Sequence, residues 1–113
     1  MKTNLPGYKW FLLGCIYLLS NASIAAATGK NMYAENCQGC HAANGSGSMG
    51  WVPDLTDDMA WATMDEHELL NELKLGVRKS GQRMRMPAKG GNPDLSDKNL
   101  MEIIHYMRKA FKK

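Results

Sequence analysis

Apolar residues in this chain form one unbroken run and three spaced ones. The unbroken run is Trp10 to Leu19, WFLLGCIYLL. The spaced ones recur every three or four positions, the period that places side chains on one face of a helix. Met32, Tyr33 and Cys37 form the first and predict a helix over 29–38. Leu69, Leu70 and Leu73 form the second. Thr63 stands three residues before Glu66, which predicts a capping box at its start, and Gly76 stands where a helix-ending glycine belongs. Leu100, Ile103, Ile104, Met107 and Phe111 give the third and longest face. Ser96 and Asp97 suit its beginning, and Arg108, Lys109, Lys112 and Lys113 suit its end.

Two polar stretches separate these helices. Residues 42–50 are dense in Gly, Ser and Asn, and Pro53 to Thr56 continue the loop. Residues 77–95 are punctuated by Gly81, Pro87, Gly90, Gly91 and Pro93. No segment alternates as a half-buried strand does. The chain therefore reads as all-α, three main helices joined by long loops. A loop as long as the second needs a task to justify it.

The unbroken run belongs to a different kind of segment. Lys2 and Lys9 precede it with no acid, and Asn21 to Ala27 follow it with small residues at A-x-A-like spacing. That order is a secretory signal peptide over 1–27, cleaved after Ala25, Ala26 or Ala27. The run is too short to cross a bilayer, for which about 20 residues are needed. Leu12 to Cys15 has the look of a lipidation site, which would anchor the chain to a membrane. The run continues past Cys15, however, and this favours simple export. A domain over 28–113 remains, small enough that its core alone is marginal. Losing Lys2 and Lys9 takes two charges off the formal +3 and leaves +1. That balance argues against nucleic-acid binding, and membrane contact is expected through the signal peptide alone.

The chemistry is concentrated in Cys37-Gln38-Gly39-Cys40-His41. C-x-x-C-H is the attachment pattern of a covalent c-type haem. Two thiols three positions apart can each form a thioether to one vinyl group, and the histidine then reaches the iron as an axial ligand. A thioredoxin-like pair would be expected near a βαβ pattern, and a zinc site would need two further ligands. In an oxidising compartment two free cysteines would form a disulfide unless something consumed them; haem attachment does so. A large apolar ring would also supply the staple that a small core needs.

The second loop then has its task, which is to bring another ligand to the iron. Met86-Pro87 is the candidate. A thioether opposite histidine raises the reduction potential, and proline stiffens the backbone beside it. Met84, between Arg83 and Arg85, and Met49 are the competing methionines. His67 and His105 read as surface histidines.

With these motifs the region 28–113 resembles the class I cytochromes c, small single-haem proteins with His/Met ligation. The resemblance implies a cytochrome c-like fold wrapped around one haem c held by Cys37, Cys40, His41 and Met86. It implies that the Pro53 carbonyl accepts a hydrogen bond from His41 Nδ1, which would fix the ring. It also implies that the first and last helices cross, with Gly29, Tyr33 and Tyr106 at the contact. Two departures stand out: Ala42 follows the histidine where many relatives carry glycine, and Trp51 is larger than usual. Trp51 and Trp61 are expected at the haem rim, as packing or as indole donors to a propionate.

The function implied is one-electron transfer, not catalysis; no nucleophile or acid–base pair is evident. The expected role is a periplasmic, monomeric carrier between a dehydrogenase or quinol-oxidising complex and a terminal oxidase or reductase. Arg78, Lys79, Arg83, Arg85 and Lys89, with no acid among them, are expected to ring the haem edge and steer an acidic redox partner. The competing reading is a haem-based sensor or peroxidase-like protein, which would need a labile Met86.

Overall fold

A computed structural model describes residues 28–78, 80–81 and 84–113. The expected signal peptide, Lys79 and Arg83 lie outside the described residues. The described chain is helical. Its elements are α1 (Gly29–Asn36), α2 (Gln38–His41), α3 (Ala60–Thr63), α4 (Glu66–Leu75), a short 3-10 turn (Ala88–Gly91) and α5 (Asp97–Phe111). The expected all-α class is observed. The one piece of β-pairing among the described residues is an isolated antiparallel bridge between Val77 and Met86.

The first helix starts at Thr28, whose side chain accepts from the Asn31 amide at 3.2 Å. It does not run to residue 38 as its apolar spacing predicts. Cys37 leaves helical geometry at φ −122°, and a separate four-residue turn follows. Gly39 weakens helix in that turn, which is held instead by His41 N–H to Cys37 O at 3.0 Å and Ala42 N–H to Gln38 O at 2.8 Å.

The expected Thr63–Glu66 capping box does not form. The Thr63 hydroxyl faces back to the carbonyls of Met59 and Ala60, at 3.4 and 3.3 Å, at the end of α3. Asp65 is the cap of α4, accepting from the amides of His67 at 2.9 Å and Glu68 at 3.2 Å. A carboxylate offers the first turn two acceptor oxygens and a negative charge, so it outcompetes a hydroxyl two residues earlier. Gly76 ends the helix with φ +80°, as expected. Ser96 caps α5, and Asn99 completes a reciprocal box that the sequence pattern did not single out.

The core lies where α1, α4 and α5 meet. Tyr33, Leu100, Ile103 and Ile104 are its most enclosed side chains, joined by Met32, Leu69, Leu73, Met107 and Phe111. The α1–α5 crossing is close because Gly29 has no side chain. A Cβ there would collide with the Glu102 carbonyl and stand 3.1 Å from Tyr106 Cβ. Beyond it Tyr33, Tyr106 and Phe111 form a three-ring cluster with centroids 5.3–5.9 Å apart. The expected contact at Gly29, Tyr33 and Tyr106 is thus present. Arg108 ties α5 to the start of α4, donating to Met64 O at 2.6 Å and facing Glu66 at 3.6 Å.

Gly29→Ala is expected to destabilise the haem-loaded protein by about 1–3 kcal/mol through overpacking, read from denaturant midpoints. The Asp65 carboxyl is held below its ordinary value, first by the Glu68 amide and then by that of His67. A depressed carboxylate contributes stability above its unfolded value and loses it as pH falls through the folded one. Asp65→Asn, which caps without charge, should therefore lower the melting temperature at neutral pH. That deficit should shrink as pH drops below the ordinary aspartate value of 3.8, in melts recorded from pH 7 to pH 3.

Candidate haem-binding site

Cys37, Cys40 and His41 reach one apolar cavity from the end of α1 and from α2. Leu69 and Leu73 of α4 and Leu100, Ile103 and Met107 of α5 wall it, so the core side chains are also cavity side chains. Pro53 and Met86 line the same cavity from the two loops. Every residue that the sequence reading assigned to the iron site is therefore brought to one place. No group of three or more His, Cys, Asp or Glu suited to a metal ion occurs among the described residues.

His41 is half-buried, and burial lowers its basicity. A neutral imidazole is the form with a lone pair to offer a metal. Its Nδ1 is enclosed and has no hydrogen-bond partner. The expected bond to the Pro53 carbonyl is thus not formed here, although Pro53 lines the cavity. An enclosed ring nitrogen without a partner is costly. Burial, and then Cys40, push the Cys37 thiol up to about 11. Such a thiol stays protonated at neutral pH and is a poor nucleophile.

The segment after His41 is fixed by the loop itself. Ala42 takes φ +64°, in the region where glycine is favoured. Its carbonyl accepts from the Tyr33 hydroxyl at 2.7 Å and from the Gly45 amide at 3.2 Å. These bonds hold a conformation that disfavours a residue with a Cβ, and so accommodate alanine there. Gly47 N–H to His41 O at 2.9 Å and Ser48 N–H to Cys40 O at 2.8 Å fold the loop back over the motif.

Met86 is positioned by backbone, not by its neighbours' side chains. Its N–H donates to Val77 O at 2.8 Å and its carbonyl accepts from Val77 N–H at 3.0 Å. Gly76 makes this approach feasible, since a Cβ there would stand 2.6 Å from Met86 O and 2.9 Å from Ala88 N. Met84 and Met49 also line the cavity but are 59% and 37% exposed, whereas Met86 is half-buried against the core. His67 and His105 are exposed and lie away from the cavity. His105 Nε2 instead meets Glu66 Oε1 at 2.7 Å.

Trp61 is buried and donates its indole N–H to Leu55 O at 3.0 Å, so it is a wall residue and not a donor to a propionate. Trp51 stands at the mouth, 49% exposed. Of the basic side chains expected around the haem edge, Arg85 and Lys89 line the cavity and also bond to backbone carbonyls. Arg85 donates to Leu75 O at 2.6 Å, satisfying a carbonyl at the end of α4. Lys89 donates to Leu95 O at 2.8 Å and Pro93 O at 3.3 Å. Both are fastened into the loop because helix ends and turns leave carbonyls that long cationic side chains can reach. Arg78 is exposed.

Val77, Gly76 and Asn36 are site-shaping residues that sequence reasoning missed. Gly76 carried a signal, but for a helix end alone. Nothing local marks Val77 as the partner of Met86.

A covalent haem fits these residues. The cavity offers two thiols and an imidazole beside each other, a thioether from a second loop and largely apolar walls. Residues 24–107 match the family described as cytochrome c oxidase, cbb3-type, subunit III. The chain is 37% identical over 86 residues to cytochrome c-555 of Prosthecochloris aestuarii, covering 72% of this chain and 83% of that one. It is 35% identical over 101 residues to cytochrome c-555 of Chlorobaculum tepidum, covering 85% and 88%. It is also 29% identical over 90 residues to the cbb3-type cytochrome c oxidase subunit FixP of Bradyrhizobium diazoefficiens, covering 76% of this chain but 30% of that protein.

Gly76→Ala should push the Met86–Pro87 backbone off the end of α4. A loss of about 1–3 kcal/mol is expected in chemical denaturation of the haem-loaded protein.

Proposed function

The chain belongs to the class I, single-haem c-type cytochromes, and we propose that it is an exported electron shuttle whose iron is held between His41 and Met86. It carries one covalently bound haem c and transfers electrons; it is not an enzyme. Bound haem c supplies the one-electron Fe(III)/Fe(II) couple.

The observation that carries the ligand assignment is the convergence of Cys37, Cys40, His41 and Met86 on one apolar cavity. Cys37 and Cys40 would hold the group by thioethers. His41, neutral through burial, would give one axial bond, and Met86 the other. The bridge to Val77 holds the Met86 backbone, which would reduce the ordering cost of ligation. Leu69, Leu73, Leu100 and Ile103 line the cavity and would exclude water from the bound group, an environment that would favour the less charged reduced state.

Such a carrier needs a donor and an acceptor. We place it between a dehydrogenase or quinol-oxidising complex and a terminal oxidase or reductase. Similarity to oxidase subunits of the FixP type supports an oxidase on the acceptor side. Docking would use the exposed cavity mouth near Trp51 and Arg78, with the protein acting as a monomer. Export to the periplasm would follow from the signal peptide over 1–27, leaving 28–113 as the working domain. Among the described residues no helix is long and apolar enough to cross a membrane.

The test is the optical spectrum of the haem-loaded domain, with carbon monoxide added to the reduced form. A low-spin spectrum with the weak far-red sulfur-to-iron band, unchanged by carbon monoxide, is expected. Met86→Ala should abolish that band. A high-spin or carbon-monoxide-binding wild type would favour the sensor or peroxidase-like reading.

A further inference from the structure

We propose that Lys89 and the Asn36–Asn92 pair clamp the turn behind Met86, and so set how firmly the sixth position of the iron stays closed. The inference rests on Met86 as axial ligand. It assigns Lys89, expected from the sequence to face a redox partner, to positioning inside the molecule.

Three observations carry it. Lys89 adopts φ +54°, ψ +29°, a left-handed conformation that disfavours a residue with a Cβ. The lysine's own half-buried ammonium stabilises that turn by donating to Leu95 O at 2.8 Å and Pro93 O at 3.3 Å. Both carbonyls lie in the segment that leads into α5, so the side chain ties the turn to that helix. On the other side, Asn92 Nδ2 donates to Asn36 Oδ1 at 2.9 Å, and Asn36 Nδ2 donates to Met32 O at 2.8 Å. Asn36 is the last residue of α1 and immediately precedes Cys37. The turn is thus fastened to the helix that carries the haem-attachment motif and to the helix that walls the cavity.

Only Pro87 separates Met86 from this turn. Pro87, at φ −67°, is a stiff link between them. A shift of the Met86 backbone would draw the thioether away from the iron, and the clamp opposes that shift. An external ligand binds in proportion to the fraction of molecules whose sixth position is open. Loosening the clamp raises that fraction. A lysine that served only in docking would alter partner encounter and its salt dependence, and would leave small-ligand binding unchanged.

The experiment is an optical titration of the ferric, haem-loaded protein with imidazole, comparing wild type with Lys89→Met and Asn92→Ala. Each variant is expected to keep the far-red sulfur-to-iron band without imidazole and to bind imidazole about tenfold more tightly, the scale of one lost hydrogen bond. Lys98→Met, which removes an exposed charge on α5, should bind it as wild type does. If Lys89→Met fails to mature, Asn92→Ala tests the clamp from the α1 side. Wild-type imidazole affinity in the variants, with the band present, would overturn the clamp and leave Met86 ligation standing. Absence of the band from wild type would overturn Met86 ligation, and the clamp with it.

Discussion

The closeness of α1 to α5 is the constraint on which the other contacts depend. Gly29 lets the two backbones touch at Glu102 and Tyr106, and that depth brings Tyr33 into the ring cluster with Tyr106 and Phe111. Tyr33 then does two things at once. Its ring packs in the core, while its hydroxyl holds the Ala42 carbonyl just beyond His41. A wider crossing would move the whole attachment motif relative to the helix that walls its cavity.

The core and the functional cavity are made from the same side chains. Leu69, Leu73, Leu100, Ile103 and Met107 pack against one another and also line the cleft. In a domain of this size the area available for burial is small, so a covalently fixed apolar ring is an economical way to extend the core. It also fits the mainly apolar walls of the cavity: among the described residues no charged side chain is fully buried, and the charged lining residues Asp58, Glu72, Arg85 and Lys89 are half-buried or exposed.

Three polar side chains of the second loop bond within the molecule. Arg85 satisfies the Leu75 carbonyl, Lys89 satisfies those of Pro93 and Leu95, and Asn92 reaches Asn36. A loop with few elements of its own must find partners for its backbone groups, and long cationic side chains supply them. Arg85 and Lys89 therefore serve loop geometry as well as carrying charge.

The sequence by itself determined the haem chemistry, the all-α class, the apolar face of α5 and the two capping positions Gly76 and Ser96. These depend on residue types at fixed local spacing, where a few bonds along the chain decide geometry. The break at Cys37 and the replacement of Thr63 by Asp65 as cap were close calls between neighbouring local options, and small differences in propensity and charge decided them. The tertiary structure alone decided that Val77 pairs with Met86, that Asn36 meets Asn92 across 56 positions, that Lys89 turns inward, and that Pro53 lines the cavity without bonding to His41. Those contacts join residues with no periodic relation. They exist because packing α1, α4 and α5 brings loop backbones together and leaves particular polar groups to be satisfied.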